Sequence, residues 1–383
     1  MAANVRLRRS LDLALCAAFV AGLLACWLDF ALRPAGARSP AHELREPAEP
    51  PARIGGLATL LAFPASAERW WNDWFGLRDV LIGARNQLLW QVFELSPTDR
   101  MVRGRDGWLF YQGDDEVLQV DRGARPFSAE QLAAWTRVFE ARRAWCDARG
   151  IQLVVAIVPS KACVYPERLP RGFERIGPSR AAEVRAALGP RWDGVWLDLE
   201  ALTARERELD TPDDPSFAPF GTHWTDRTAF AAYRAIVEAV ARQRTGGAPR
   251  SAADFERAPD PTGGDSWAAR LYLDGVLEQR VQRWTPASPR AVASPPLERS
   301  VRDATFTCPD APWERAYVLH DSFGPEVRAW LAEHFRETST HWQYDFEGRT
   351  IAAFAPEVLV MLFSDRYFVL VEPALAAEPP ARR

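Results

Sequence analysis

The stretch Ala316-Tyr317-Val318-Leu319-His320-Asp321-Ser322-Phe323-Gly324-Pro325-Glu326-Val327-Arg328-Ala329-Trp330 decides how the chain is read. Tyr317-Val318-Leu319 is a short apolar run, His320 to Gly324 is turn-forming, and a helix-compatible segment follows Pro325. Strand, tight turn and helix start place the Ser322 hydroxyl past the carboxyl end of a strand, beside the free amides of a helix N-terminus. An oxyanion can be held there. Ser322 is the candidate nucleophile, and the Ser322 amide, with Asp321 and Lys161 nearby in role, is the candidate oxyanion or substrate-binding set. The competing structural role for Asp321 and Ser322 is helix capping.

Working outward, the other elements are those of an α/β fold. Ser128-Ala129-Glu130-Gln131 has the spacing of a capping box and opens a helix that runs to Gly150. Ile151 to Val158 is a continuous apolar strand of the kind buried on both faces, ending at Pro159-Ser160-Lys161. Lys161, at a strand end, either faces a ligand or is a solvated loop lysine. Arg180 to Leu188 reads as helix, Gly194 to Leu199 as strand, and Val358 to Phe363 as the final strand. Phe220-Gly221-Thr222-His223-Trp224-Thr225-Asp226 puts one of only five histidines in a loop just before a helix. Gly264-Asp265-Ser266 spells the tripeptide found at the nucleophile of GDSL-type esterases. No strand can be built from the Ala258-Pro259-Asp260-Pro261 before it, so Ser266 is expected to cap a helix over Trp267 to Leu277.

Length and charge set bounds. The 383 residues carry 47 basic and 51 acidic side chains, a formal charge of −4 without a basic block, which argues against a nucleic-acid partner. Arg6, Arg8 and Arg9 precede an apolar segment reaching Leu32, long enough to cross a bilayer with its N-terminus inside. It is read as a signal anchor over residues 1–33, with a cleaved signal peptide and a lipoprotein signal around Cys26 as the other versions. A Pro-rich linker is expected at 34–55, one large domain at 56–371 and a disordered tail at 372–383. Trp70, Trp74, Leu77 and Leu81 mark one apolar helix face, assigned to core packing. Cys146, Cys163 and Cys308 allow at most one internal disulfide, and no Cys/His spacing suggests a metal. No cofactor is expected.

Several ordered motifs together carry a family resemblance: Arg69-Trp70-Trp71-Asn72-Asp73-Trp74-Phe75-Gly76-Leu77-Arg78-Asp79, then Gly104-Arg105-Asp106-Gly107-Trp108-Leu109-Phe110-Tyr111 with Gly113-Asp114, Ile157-Val158-Pro159-Ser160-Lys161, Thr222-His223-Trp224-Thr225, the Asp321-Ser322-Phe323-Gly324 turn, and Phe354 to Arg366. Over residues 64 to 370 the chain resembles the alginate O-acetyltransferase AlgX/AlgJ family, whose catalytic domain is SGNH-hydrolase-like. The resemblance implies a three-layer α/β/α domain in permuted order, His before Ser, with Ser322 as the acyl-accepting serine and His223 as its base. It implies O-acetyl transfer to an exported polysaccharide, a membrane-bound O-acyltransferase as donor partner, and a place on the periplasmic face of the inner membrane. Gly221 stands where the family has the orienting Asp, two residues before the histidine, and His320 stands where a Gly is frequent. Asp226, or else Asp213 or Asp214, is the expected substitute carboxylate. A carbohydrate esterase using the same site, and a silent polysaccharide-binding subunit, are the alternative functions.

Overall fold

The computed structural model describes residues 2–32, 46–113, 117–294 and 302–373. Asp114, residues 34–45 of the expected linker and residues 374–383 of the expected tail lie outside these. The chain divides into two compact units, Met1–Pro97 with Trp267–Leu277, and Thr98–Ser266 with Glu278–Arg383.

Among the described residues the first unit contains the α-helices α1 (Ala2–Leu32), α2 (Leu57–Trp74) and α3 (Arg78–Gln91). Helix α1 holds an apolar stretch, Leu11–Leu32, long enough to cross a membrane. No residue of α2 is buried, and Leu81 on α3 is exposed. The face of Trp70, Trp74 and Leu81 is therefore not buried in a core, although Trp90 of α3 is. Trp267–Leu277 forms turns around a short 3-10 segment, Ala269–Leu271, in place of the expected helix. It is held by Asn86, whose Nδ2 donates to the Leu271 carbonyl at 2.8 Å, and by Arg78, which donates to the Tyr272 hydroxyl at 3.1 Å.

Among the described residues the second unit has eleven strands: β1 (Met101–Arg103), β2 (Leu109–Tyr111), β3 (Gln152–Val158), β4 (Trp196–Leu197), β5 (Phe255–Pro259), β6 (Gln282–Pro286), β7 (Val292–Ala293), β8 (Ala304–Thr307), β9 (Trp313–His320), β10 (Phe335–Trp342) and β11 (Val358–Ser364). Seven form one sheet in the order β4-β3-β11-β9-β10-β8-β7. The five from β4 to β10 run parallel, with β8 and β7 antiparallel at one edge. Side chains of a strand alternate between faces, and both faces here are covered. Val154, Ala156 and Val158 of β3 join Val318, Val360 and Leu362 in a core shared with the helix Asp226–Ala241. Leu153, Val155 and Ile157 join Leu319, Met361 and Phe363 in a second core under the helices Ala129–Asp147 and Arg180–Leu188. Three α/β/α layers result, as expected for apolar strands with no polar face. Ser128 caps Ala129–Asp147 through the expected box, its hydroxyl accepting from the Gln131 amide at 3.1 Å. None of the five cysteines forms a disulfide among the described residues.

Candidate active site

At the carboxyl end of β9 the chain turns into the helix Pro325–Ala332. Asp321 fixes that turn: one oxygen accepts from the Phe323 amide at 3.0 Å, the other from the amide (2.8 Å) and hydroxyl (2.6 Å) of Ser364 at the end of β11. With both oxygens committed to the scaffold, Asp321 is a bracket and not a substrate ligand. Nor does Ser322 cap the helix, whose N-cap Gly324 lacks a side-chain bond. Among the described residues no partner bonds to the Ser322 hydroxyl or amide. His320, buried, donates from Nδ1 to the Asp321 carbonyl at 2.8 Å.

His223 lies on the loop that closes onto the helix Asp226–Ala241, with the Ala218 amide bonded to the His223 carbonyl. Phe323, next to Ser322, packs its ring against the imidazole with centroids 4.7 Å apart. Nε2 of His223 is buried and has no hydrogen-bond partner among the described residues. The structure forms no Ser322–His223 hydrogen bond; such bonds are commonly made only with substrate in place.

The other ring nitrogen meets a carboxylate that sequence reasoning missed. Asp265 Oδ2 lies 2.8 Å from His223 Nδ1 and accepts from the Thr222 and His223 amides at 2.5 and 3.0 Å. Since the carboxylate only accepts, Nδ1 carries the proton and Nε2 is left basic. Gly221 makes room for this contact: a Cβ there would stand 2.6 Å from Asp265 Oδ2 and 2.2 Å from its carbonyl oxygen. The carboxylate therefore occupies the space into which a residue 221 side chain would project. Gly263 and Gly264, with φ of +71° and +72°, turn the chain to present it. Gln279 clamps the two loops, donating to the Gly263 and Asp265 carbonyls (both 2.7 Å) and accepting from the Phe220 amide (2.8 Å).

The expected substitutes are elsewhere. Asp226 accepts from the Trp284 amide at 2.8 Å, Asp214 pairs with Arg227 at 3.2 Å, and Asp213 faces Arg280 at 3.5 Å. None bonds to His223. Lys161 is neither solvated nor free for substrate. Its buried ammonium donates to the carbonyls of Ala218 (3.0 Å), Pro219 (3.0 Å) and Gly221 (2.6 Å), fastening the loop that carries His223.

Electrostatics follow from this geometry. Burial disfavours the His223 imidazolium, but the Asp265 hydrogen bond and charge, with Glu326 adding to them, outweigh it and raise the pKa above the ordinary value. Burial alone would raise Asp265; its bond to and attraction by His223 and the two loop amides hold it far below the usual carboxylate range. Burial also pulls Lys161 down to about 7, against the field of Asp265. Beside the pair is a cavity walled by Thr222, Phe323, Ser160, Asp365 and Arg366. The Arg366 guanidinium stacks over Tyr111 at 4.9 Å and has no ion pair or hydrogen bond among the described residues. Burial, with the two carboxyls' mutual repulsion, pushes Asp121 and Asp365 on this cavity well above the usual carboxylate range.

Residues 101–295, about half the chain, match the family described as SGNH hydrolase-like domain, acetyltransferase AlgX. The chain belongs to the AlgX family. Relatives include a probable alginate O-acetylase AlgJ of Pseudomonas putida, 33% identical over 154 residues that cover 37% of this chain and 34% of that protein. Another, from Pseudomonas fluorescens, is 24% identical over 299 residues, 70% of this chain and 68% of the relative. Among solved structures, Bacillus cereus PatB1 with a sulfonyl adduct superposes with a TM-score of 0.52 at 15% identity, covering 70% of this chain and 97% of that one, which speaks for the shared fold. In this chain the carboxylate beside His223 comes from a loop 42 residues away, and Gly221 stands two residues before the histidine. The signal was present in the sequence as Gly263-Gly264-Asp265, a turn that delivers an acid, although only its serine was weighed.

Proposed function

We propose that this protein is an O-acetyltransferase working through an acetyl-Ser322 intermediate, with an exported polysaccharide as acceptor. The observation that carries the proposal is the Asp265–His223 pair at 2.8 Å, with its unpartnered Nε2 against the Ser322 turn. In the first half-reaction Ser322 Oγ attacks the acetyl carbonyl of the donor while Nε2 takes its proton. Collapse breaks the bond to the donor's leaving group, which receives that proton. An acceptor hydroxyl then attacks the acetyl-serine, passes its proton to Nε2, and the proton returns to Oγ as the serine is expelled. The Ser322 amide is the donor available to the oxyanion, a contribution of about 3 kcal/mol where such donors have been removed. Asp265 holds the imidazole in the required tautomer and stabilises its charged form.

The AlgJ relatives motivate an alginate-like acceptor, and the unpaired Arg366 offers a cation to an acidic saccharide. The apolar Leu11–Leu32 stretch behind three arginines motivates anchoring on the periplasmic face of the inner membrane, where a membrane-bound O-acyltransferase would supply acetyl. A silent binding subunit was motivated by the empty position at Gly221, and Asp265 removes that motive. The test is incubation with a chromogenic acetyl ester and intact-mass analysis. Wild type gains one acetyl group, mapped to Ser322, and passes it to an added polyuronate oligosaccharide; Ser322→Ala gains none. Acetyl found on another residue, or released to water with the oligosaccharide unmodified, would overturn the assignment.

A further inference from the structure

Helix α2 begins as a segment with no place in water. From Ile54 to Ala67 the chain has no charged residue. Within it Leu57, Leu60 and Leu61 are 72%, 51% and 72% exposed and Phe63 is 38% exposed, and every residue from Ile54 to Ala65 except Thr59 is exposed. Leaving four such side chains in water forgoes a burial contribution that is a sizeable part of a domain's marginal stability. Single exposed leucines are ordinary; a contiguous uncharged helical segment exposed all round is not.

The other half of α2 is bolted to the outer end of α1. Trp71 packs against Trp27 and Phe30 with centroids 5.0 and 5.4 Å apart, and Trp70 meets Phe30 at 5.7 Å. Asp29 accepts from the Leu77 amide at 2.8 Å. Gly76 lies so close to α1 that a Cβ would stand 1.9 Å from the Cys26 carbonyl oxygen. These contacts also give α1 partners within the fold, which a removed signal peptide would not have. If α1 spans the bilayer with its arginines inside, Trp27 and Phe30 lie within its last two turns, at the outer boundary of the hydrocarbon. The tryptophans of α2 then share the interfacial depth where such rings concentrate.

We infer that α1 is retained and that residues 54–67 lie in the outer leaflet of the same membrane, so that the chain is held by a span and an immersed interfacial helix. The inference rests on the anchor reading above but not on the chemistry at Ser322. Its occupant is lipid: the segment is too short to span, its length is that of an interfacial segment, and it continues directly from the span's own aromatic contacts.

The test uses the full chain in lipid nanodiscs of phosphatidylethanolamine and phosphatidylglycerol, with the exposed Cys16 and the half-buried Cys26 replaced by alanine. A nitroxide is attached at Leu60→Cys or Leu61→Cys, and collision rates with oxygen and a water-soluble nickel chelate are compared. Leu24→Cys in α1 and Leu209→Cys, an exposed position of the second unit, are the references. The oxygen-to-nickel ratio at 60 and 61 should match that at 24 and exceed that at 209. A ratio equal to that at 209 would place the segment in water, and low collision rates with both reagents would place it under protein. Either overturns the inference, as would an intact mass showing α1 removed. Because no turnover is measured, failure here is separate from failure of the acetyl-transfer proposal.

Discussion

At the scale of single residues, the site turns on two positions that exclude one another. Gly221 and the Asp265 carboxylate compete for one volume, so Gly221→Asp alone should displace Asp265 and lower turnover of an acetyl ester. Asp265→Ala should lower it by up to roughly ten-thousandfold, the loss seen when the acid of such a triad is replaced. Combined, the two changes put a carboxylate back beside His223 with space to hold it, and the double variant should exceed both single variants. A double variant no better than the worse single one would show that the two loops are not interchangeable sources. The pH profile separates this role from a purely structural one. His223 must be neutral to take the Ser322 proton, so kcat/KM should rise with pH through an inflection above the ordinary histidine value of about 6.5. In Asp265→Asn the two largest raising contributions are lost while burial and the smaller effect of Glu326 remain, and the inflection should move down. An unmoved inflection would remove Asp265 from the site. Ser322 and His223 were candidates from the sequence because each sits at a strand or helix boundary with a recognisable motif. Asp265 was not, because a contact spanning 42 residues between two irregular loops leaves no periodic trace.

Among the elements, the parallel strands were the most legible. Ile151 to Val158 and Val358 to Phe363 are buried on both faces and so write themselves as unbroken apolar runs. Strand β10, Phe-Arg-Glu-Thr-Ser-Thr-His-Trp, escaped notice because threonine, serine and histidine fill it; its Thr338 and Thr340 are nonetheless fully buried, β-branched and suited to a strand. The helix expected at Trp267–Leu277 failed for a different reason, since those residues are drawn into packing with the first unit. Loops hold the site together through Gln279, whose one amide group serves three backbone atoms. Gln279→Leu should leave those groups unpaired, at about 1–3 kcal/mol of stability, and lower kcat while leaving the pH inflection in place. A loss of stability without any loss of kcat would limit Gln279 to a structural role.

For the whole molecule, the division into two units matters most where the chain passes between them. Trp267–Leu277 belongs with Met1–Pro97, and its two ends emerge at Asp265 and at Gln279, the acid and its clamp. A soluble fragment starting at Thr98 would retain Ser322, His223 and Asp265, yet Leu271 and Tyr272 would have lost Asn86 and Arg78. Such a fragment should turn over an acetyl ester more slowly than the full chain, and its activity should recover when residues 1–97 are supplied in trans; equal rates would show that the excursion is dispensable. In mechanical terms, the excursion is a tether tied off at the catalytic acid. Force reaching the first unit from the membrane side, through bilayer tension or a pull from a neighbouring protein, would be passed along the covalent chain to the loop that sets the tautomer of His223, and the first catalytic group to feel it would be Asp265.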